Sequence, residues 1–507
     1  MVEKDASAKG TKWYVYMESP EGCPWYNNQT YVDTMSKKAI QKFIETTHEK
    51  YKGAIGDEFG KAVPAIFTDE PQMTHKSVLN YAADADDIFI PWTTDFNDTF
   101  KEAYGEGLVE HLPELIWDLP KGMISVSRYH YHDHLGERFA GAFADTLGDW
   151  CKENGLMLTG HMMYEPTLKS QTTAVSEAMR SYRSFDFPGI DMLCNFYEYT
   201  TAKQAQSATH QAGNAGILSE LYGVTNWDFD FRGHKLQGDW QAALGVTVRV
   251  QHLSWVSMAG EAKRDYPATL NYQVPWYKEY KIIEDHFSRV HTAMTQGDPD
   301  VKIGVVHPIE SYWLHWGPEE NTALIREEKD KKFEDITEWL LFGQNDFDFI
   351  CESLLPDQRV ENDPMAVGKM KYSVILVPGM ETIRSTTIDF LTAYANAGGK
   401  VIVVGEYPSY VDAKVSDKLE ELKKISVQIP YEKVAVYEAM LPYKNISIRD
   451  INGMIADNLI YQMRKDGENK WLFIVNGNDR NNADGKDLPD REDVKIYVCL
   501  LYTSRCV

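Results

Sequence analysis

Cysteine is scarce in this chain, six in 507 residues, and no CxxC pair or zinc-like spacing occurs among them, so metal ligation by thiolate is unsupported. No stretch reaches the roughly 18 unbroken apolar residues of a membrane helix, which excludes membrane spanning. Basic residues are also short. With 52 against 76 acidic ones the net charge is −24, and no basic stripe interrupts it, a balance that repels polyphosphate and excludes nucleic acid as a partner. The N-terminal MVEKDASAKGTK lacks the apolar region of a secretory signal, so the chain as given reads as cytoplasmic, with reduced thiols. Internal repeats and low-complexity linkers are missing, and no GxGxxG or Walker pattern follows a strand, which removes the nucleotide-binding reading.

Aromatic residues, by contrast, are abundant. Trp, Tyr and Phe make up 12% of the chain, more than a core requires, and a site that stacks on flat, weakly polar ligands such as sugar rings would use the excess. At about 150 residues per domain the length suggests about three domains. Over 1–300, short apolar runs alternate with helical patterns, the signature of parallel βα units. The expected strands are Trp13–Met17, Ala65–Thr68, Leu156–Met162, Met192–Phe196, Gly216–Leu221 and Val246–His252, with amphipathic helices such as Ser36–Tyr51 and Leu135–Glu153 between them. The predicted fold class is therefore α/β, with a TIM-type barrel two units short of (β/α)8.

Three further blocks follow. Over 301–430, a helix stopped by Gly398 lies between the β-branched runs YSVILVPG and KVIVVGEYP, which predicts a doubly wound α/β domain. Cys351 there lacks the Gly-flanked turn of an amidotransferase nucleophile, so this domain reads as structural or as an assembly surface. Over 431–498, IYQMRKDGENKWLFIVN reads as two strands joined through a Gly-containing turn, the start of a β-sandwich. The final CLLYTSRCV, 499–507, completes no element and resembles translated sequencing-library adapter, so a non-native tail on a gene cut short is expected there.

In a barrel of this type the catalytic groups stand at the carboxyl ends of strands, which singles out three glutamates. Glu70 follows AIFTD, Glu165 follows LTGHMMY and Glu220 follows GILS. Glycosidic cleavage needs one carboxyl protonated to donate to the leaving oxygen and one ionised to activate water or to attack. Strand-end carboxylates also cap helices or pair with arginines, but three on successive βα units favour catalysis. Trp92, His161, Tyr164, Tyr222, Trp227, His252, Trp255 and Trp276 surround the same ends, where rings stack on sugar faces and imidazoles bind hydroxyls. RYHYHDHLGERF places His130 and His134 four apart, yet no third ligand follows, and a solvated or cleft-lining helix start is expected rather than zinc.

The runs FTDEP with PWTTDF, GLMLTGHMMYEP, SATHQAGNAGILSELYG, GDWQAALGVTVRVQHLSW and YPATLNYQVPWYKEYKIIEDHFSRVHTAMTQG resemble, in order and spacing over 12–310, the barrel of glycoside hydrolase family 106, which contains bacterial α-L-rhamnosidases. The succession of barrel, flavodoxin-like domain and β-domain is also similar to the family 42 β-galactosidases. The resemblance implies that the barrel lacks its first two βα units and that Met1 is an internal codon. It makes Trp13–Met17 the third strand, so that Glu70 follows the fourth and Glu220 the seventh, the acid and nucleophile positions of the retaining clan, whereas family 106 enzymes are inverting and calcium-assisted.

Carried over residue by residue, Glu70 becomes the general acid, Glu220 the base or nucleophile, and Glu165 a sugar-binding or metal-associated carboxylate. Asp69 departs from the family spacing and is assigned to sugar binding with Trp92, His161, Tyr164, Tyr222, Trp227, His252 and Trp255. The resulting expectation is an exo-acting glycoside hydrolase taking an oligosaccharide or glycoside and removing a terminal sugar, rhamnose first. Calcium is expected from the resemblance alone. The alternatives are a retaining β-galactosidase and a non-catalytic glycan-binding or inert fragment. An open barrel exposes strand edges and its apolar interior, which invites aggregation and admits a homo-oligomer.

Overall fold

The computed structural model describes residues 12–261, 270–450, 452–477 and 497–500. Its first sheet consists of β1 (Ala65–Thr68), β2 (Met157–Gly160), β3 (Phe187–Met192), β4 (Ile217–Leu221) and β5 (Val246–Gln251), arranged in chain order. Every neighbouring pair is parallel, and helices such as Tyr199–Ala212 and Phe231–Ala243 carry the chain back between strands. Sequential parallel pairing curls such a sheet into part of a barrel wall. Among the described residues no pairing joins β5 to β1, so the wall is a half-barrel. The face that holds Val248 and Val250 of β5 stays partly open to solvent.

Two expected strands are corrected. Trp13–Met17 forms no strand: it has no ladder partner among the described residues, and all five side chains are exposed. The count is therefore five, and strand numbers that start from Trp13 do not hold, although Glu70 just after β1 and Glu220 near the end of β4 still belong to strands three apart. The strand expected at Met192–Phe196 lies earlier, at Phe187–Met192. Pro188 and Gly189 read locally as breakers, but the bare Gly189 lets β3 close on β2, where a Cβ would lie 2.2 Å from Gly160 O.

The helices also differ from their patterns. Ser36 caps Lys37–Thr46 by accepting from Ala39 N–H, but the helix breaks at Thr47 and resumes as His48–Ile55. The helix expected from Leu135 begins earlier, at Val126, where Ser125 Oγ accepts from Arg128 N–H at 3.0 Å, and continues through one π turn to Glu153. His130 and His134, expected on a solvated or cleft-lining helix start, lie inside this helix with His132 between them. His132 is buried with Nδ1 2.9 Å from Arg128 O, His134 Nε2 meets Thr99 Oγ1 at 2.9 Å, and His130 stacks on Tyr104 with ring centroids 4.2 Å apart. The helix Phe96–Tyr104 covers His130 and His134, and Trp313 and Trp316 of the second lobe pack on His132.

The second sheet is parallel throughout: Ser426–Ile429, Lys400–Val404, Val374–Pro378, Ile303–Val306, Phe347–Ile350. In chain order this is the flavodoxin-type arrangement 2-1-3-4-5. Beyond it Lys433–Met440 is a helix, a departure from the strand-rich reading of that stretch. The expected hairpin does form, Leu459–Asp466 with Asn469–Asn476 through Gly467 at φ +59°, and Asp298–Pro299 adds to its other edge. Ile446 and Ile448 of a second small sheet, Ile446–Arg449 with Tyr497–Leu500, pack on Leu459, Tyr461 and Met463 of the hairpin. Cys499 and Leu500 thus belong to a strand, and the rest of the expected tail, 501–507, lies outside the described residues. No helix among the described residues is long and apolar enough to cross a membrane.

Candidate active site

Register brings the strand-end residues together. Thr68 ends β1 opposite Gly160, the end of β2, and His161 N–H donates to Thr68 O at 3.2 Å, which sets Asp69 and Glu70 beside His161. Only glycine serves at position 160, because its φ is +124° and a Cβ would lie 1.9 Å from Thr68 O. Asp191 of β3 is in register with Glu220 of β4, so both carboxylates stand on one sheet face. His252 follows β5, with its N–H donating to Leu221 O at 2.9 Å.

The result is a cluster drawn from all of these strands. Ligand atoms of Asp69, His161 and Glu220 lie within 4.8 Å of one another, and so do those of Glu70, His161 and Asp191. His161 Nε2 is 3.1 Å from Asp69 Oδ1 and 3.8 Å from Asp191 Oδ2. Burial alone would lower this imidazole, but the ion pair with Asp69 and the charges of Glu165 and Asp191 hold it at about 9, so it is an imidazolium at neutral pH. The same ion pair keeps Asp69 below the ordinary range. Burial, reinforced by the charges of Asp69 and Glu220, raises Glu70; burial with Asp69 raises Glu220. Burial, with the neighbouring carboxylates adding to it, pushes Asp191 up to about 7. Four carboxyls thus share one buried cation, and at neutral pH the cluster can hold both a proton donor and a proton acceptor.

The rim is conformationally loaded. Glu70, Tyr164, Cys194, Tyr222 and Val224, which follow β1 to β4, all have left-handed backbones, with φ of +45°, +60°, +54°, +75° and +58°. Each such residue costs about 1–3 kcal/mol when it is not glycine, and strain of this kind gathers where side chains must be aimed.

The expected site residues divide. Glu70, Glu220, Asp69 and His161 meet, and the charge of His252 acts on Asp69 and Glu220. Glu165 lies beneath them: it is buried, its Oε1 accepts from Met162 N–H at 2.8 Å, and burial pushes it up to about 8. Trp227 and Trp255 face each other with ring centroids 6.0 Å apart, and the exposed Tyr164 lies 5.2 Å from His75. Two expected sugar-binding residues go instead to packing. Tyr222 is buried, donating to His234 O and accepting from Arg249 Nη1, each at 3.0 Å, while Trp92 packs on Phe96 against the core. Alternation along β4 turns Glu220 and Tyr222 to one side only if the strand continues, and the left-handed turn at Tyr222 ends it.

Sequence reasoning missed Asp191, hidden in FPGIDM by the misplaced start of β3; placing the strand at Phe187 would have exposed it as an acid within an apolar run. It also missed Tyr26 and Tyr31, whose rings stack 4.7 Å apart in a loop for which local sequence offers no signal.

The chain matches the family model described as alpha-L-rhamnosidase over residues 26–482. No curated protein matches it in sequence. Among solved structures it is similar to a rhamnosidase from Novosphingobium sp. PP1Y, with TM-score 0.64 and 17% identity, covering 88% of this chain and 42% of that one. It is also similar to an apo exo-carrageenase of family GH42 from Bacteroides ovatus (TM-score 0.52, 13% identity, 84% of this chain and 61% of that one). A GH42 beta-galactosidase from G. stearothermophilus is comparable, at TM-score 0.51 and 9% identity over 75% of this chain and 69% of that one. At these identities the likeness is one of fold, and this chain spans 42% of the rhamnosidase's length.

Proposed function

Because the chain belongs to glycoside hydrolase family 106, the alpha-L-rhamnosidases, we propose that it cleaves a terminal α-L-rhamnoside with Glu70 as acid and Glu220 as base. The observation that carries this reading is the convergence of both glutamates on His161 with Asp69 and Asp191. Glu70, whose carboxyl burial and the charges of Asp69 and Glu220 raise above its ordinary range, gives its proton to the glycosidic oxygen as the C1–O bond breaks. Glu220 takes a proton from the water whose oxygen forms the new bond to C1 from the opposite face, and exchange with solvent resets both groups. The imidazolium of His161 steadies the negative charge left on Glu70 and shared by Asp69 and Asp191.

The calcium implied by family resemblance would be held by carboxylates of this cluster, Asp69 with Glu220 or Glu70 with Asp191, whose ligand atoms lie within 4.8 Å of one another. Their oxygens suit a hard cation. Such an ion would polarise sugar hydroxyls.

The test is hydrolysis of 4-nitrophenyl α-L-rhamnoside followed by proton NMR. Turnover with rhamnose released first as the β anomer is expected. Release of the α anomer would favour a retaining mechanism, turnover of a β-galactoside alone would replace the substrate, and binding without turnover would leave a glycan-binding protein.

A further inference from the structure

Tyr26 and Tyr31 belong to a segment that the catalytic reading does not use. Their rings stack with centroids 4.7 Å apart at 29°, and both are half-buried. The short helical turn Pro24–Tyr26 is closed into a loop by Cys23 N–H donating to Gln29 O at 3.1 Å and Asn28 N–H donating to Cys23 O at 2.9 Å. Just beyond Tyr31 the chain is anchored. Thr34 is buried and its Oγ1 donates to Gln72 O at 2.8 Å, two residues past Glu70, while Thr93 Oγ1 donates to Asp33 Oδ2 at 2.6 Å.

This fastening lays the tyrosine loop on the loop that carries the acid. Burial, with Gln72 opposing it and the charges of Tyr26, Asp69 and Glu70 adding to it, takes the Tyr31 hydroxyl up to about 12. Glu70 likewise adds to the effect of burial on Tyr26. The other ring pair at the mouth, Trp227 and Trp255, follows β4 and β5, on the side of the base.

We propose that Tyr26 and Tyr31 form a leaving-group subsite that stacks a planar ring attached to the rhamnose. This rests on the assignment of Glu70 as acid: the group that protonates the glycosidic oxygen must face the leaving group, and the residues fastened to its loop flank that same side. Tyrosine suits the task because a flat ring of low conformational entropy stacks on either a sugar face or an aryl face.

Binding to thioglycosides, which the enzyme does not cleave, tests the proposal apart from catalysis. Calorimetry on the full chain would compare methyl 1-thio-α-L-rhamnoside with its 4-nitrophenyl counterpart and with a thio-linked rhamnosyl-glucose. At least one ring-bearing ligand should bind about fivefold or more tighter than the methyl compound. Y26A and Y31A should each remove most of that advantage and leave the methyl affinity within about twofold, whereas Y26F and Y31F should keep it. An advantage confined to the nitrophenyl ligand identifies an aryl subsite, and one confined to the disaccharide a sugar subsite. Equal affinities in the unmodified protein, an advantage that survives both alanine variants, or parallel loss of methyl binding would each overturn the proposal. Failure of all three ligands to bind would instead strike the rhamnoside assignment itself.

Discussion

The two parallel sheets gather acidic residues at the same place, the carboxyl ends of their strands, and treat them in opposite ways. On the first sheet Asp69, Glu70, Asp191 and Glu220 crowd around a single imidazolium and remain reachable from solvent. On the second, Glu310 and Cys351 follow the strands Ile303–Val306 and Phe347–Ile350 and are sealed against the helices of the half-barrel. Arg384 Nε lies 2.5 Å from Glu310 Oε1 and its Nη2 lies 2.6 Å from Asp133 Oδ1, while Arg180 bridges Asp133 and Glu177 at 2.7 Å each. Cys351 Sγ donates to Glu177 at 2.9 Å, and burial pushes its thiol well up, which makes it inert. A buried acid or a shifted pKa is thus no mark of chemistry. Negative charge that arginines do not neutralise, next to solvent, separates the first edge from the second.

The sharpest way to break this contrast is to neutralise one acid on each edge. E70Q or E220Q should lower kcat on an aryl rhamnoside by about 10²–10⁴-fold with little change in Tm, whereas E310Q should leave kcat within about twofold. Equal losses in all three would erase the distinction. Next in size, R384A leaves Glu310 and Asp133 without their cation and should destabilise the protein by about 3–5 kcal/mol in urea unfolding. An unchanged midpoint would mean that the sealed edge is not the mechanical joint its geometry describes. G160A tests whether the first edge depends on strand approach. The Cβ must displace Thr68 O, with an expected cost of about 1–3 kcal/mol and loss of activity in the folded fraction, read by thermal melt and specific activity.

The smallest effect is a difference in pH response. Glu165, at about 8 when folded against 4.5 for the ordinary group, keeps a proton that the unfolded chain gives up, so its contribution to stability declines as pH rises from about 4.5 to 8. Asp133, held well below 3.8 by its arginines despite burial, contributes stability that is complete above 3.8 and is lost as pH falls. E165Q should therefore flatten the decline in Tm between pH 5 and 8 by about 2 °C, and an unchanged slope would contradict the burial of that carboxyl.

Much of the scaffold was legible because it follows from local pattern. Ala65–Thr68 forms at the residues its apolar run marks, the strands near Leu156, Gly216 and Val246 shift by one or two positions, and the glycine-turned hairpin pairs over eight residues. The failures were equally physical. Trp13–Met17 has the composition of a strand but no ladder partner among the described residues, and Phe187–Met192 has the composition of a turn but a neighbour close enough to make it a strand. Glu70, Glu220 and His161 were legible from their places after apolar runs; Asp191 vanished with the misplaced strand, and Tyr26 and Tyr31 carry no local mark.

Taken alone, the order of residues determined which segments can be strands and which acids stand at their ends, since both depend on hydrophobic period and on a few positions along the chain. It could not decide which acids would meet arginine and which would meet one another, because ion pairing joins residues as distant as Asp133 and Arg384, and desolvation depends on what packs above them. That choice belonged to the tertiary structure. Burial and register turned one strand edge into a crowded, solvent-facing cluster of carboxyls and the other into a sealed joint.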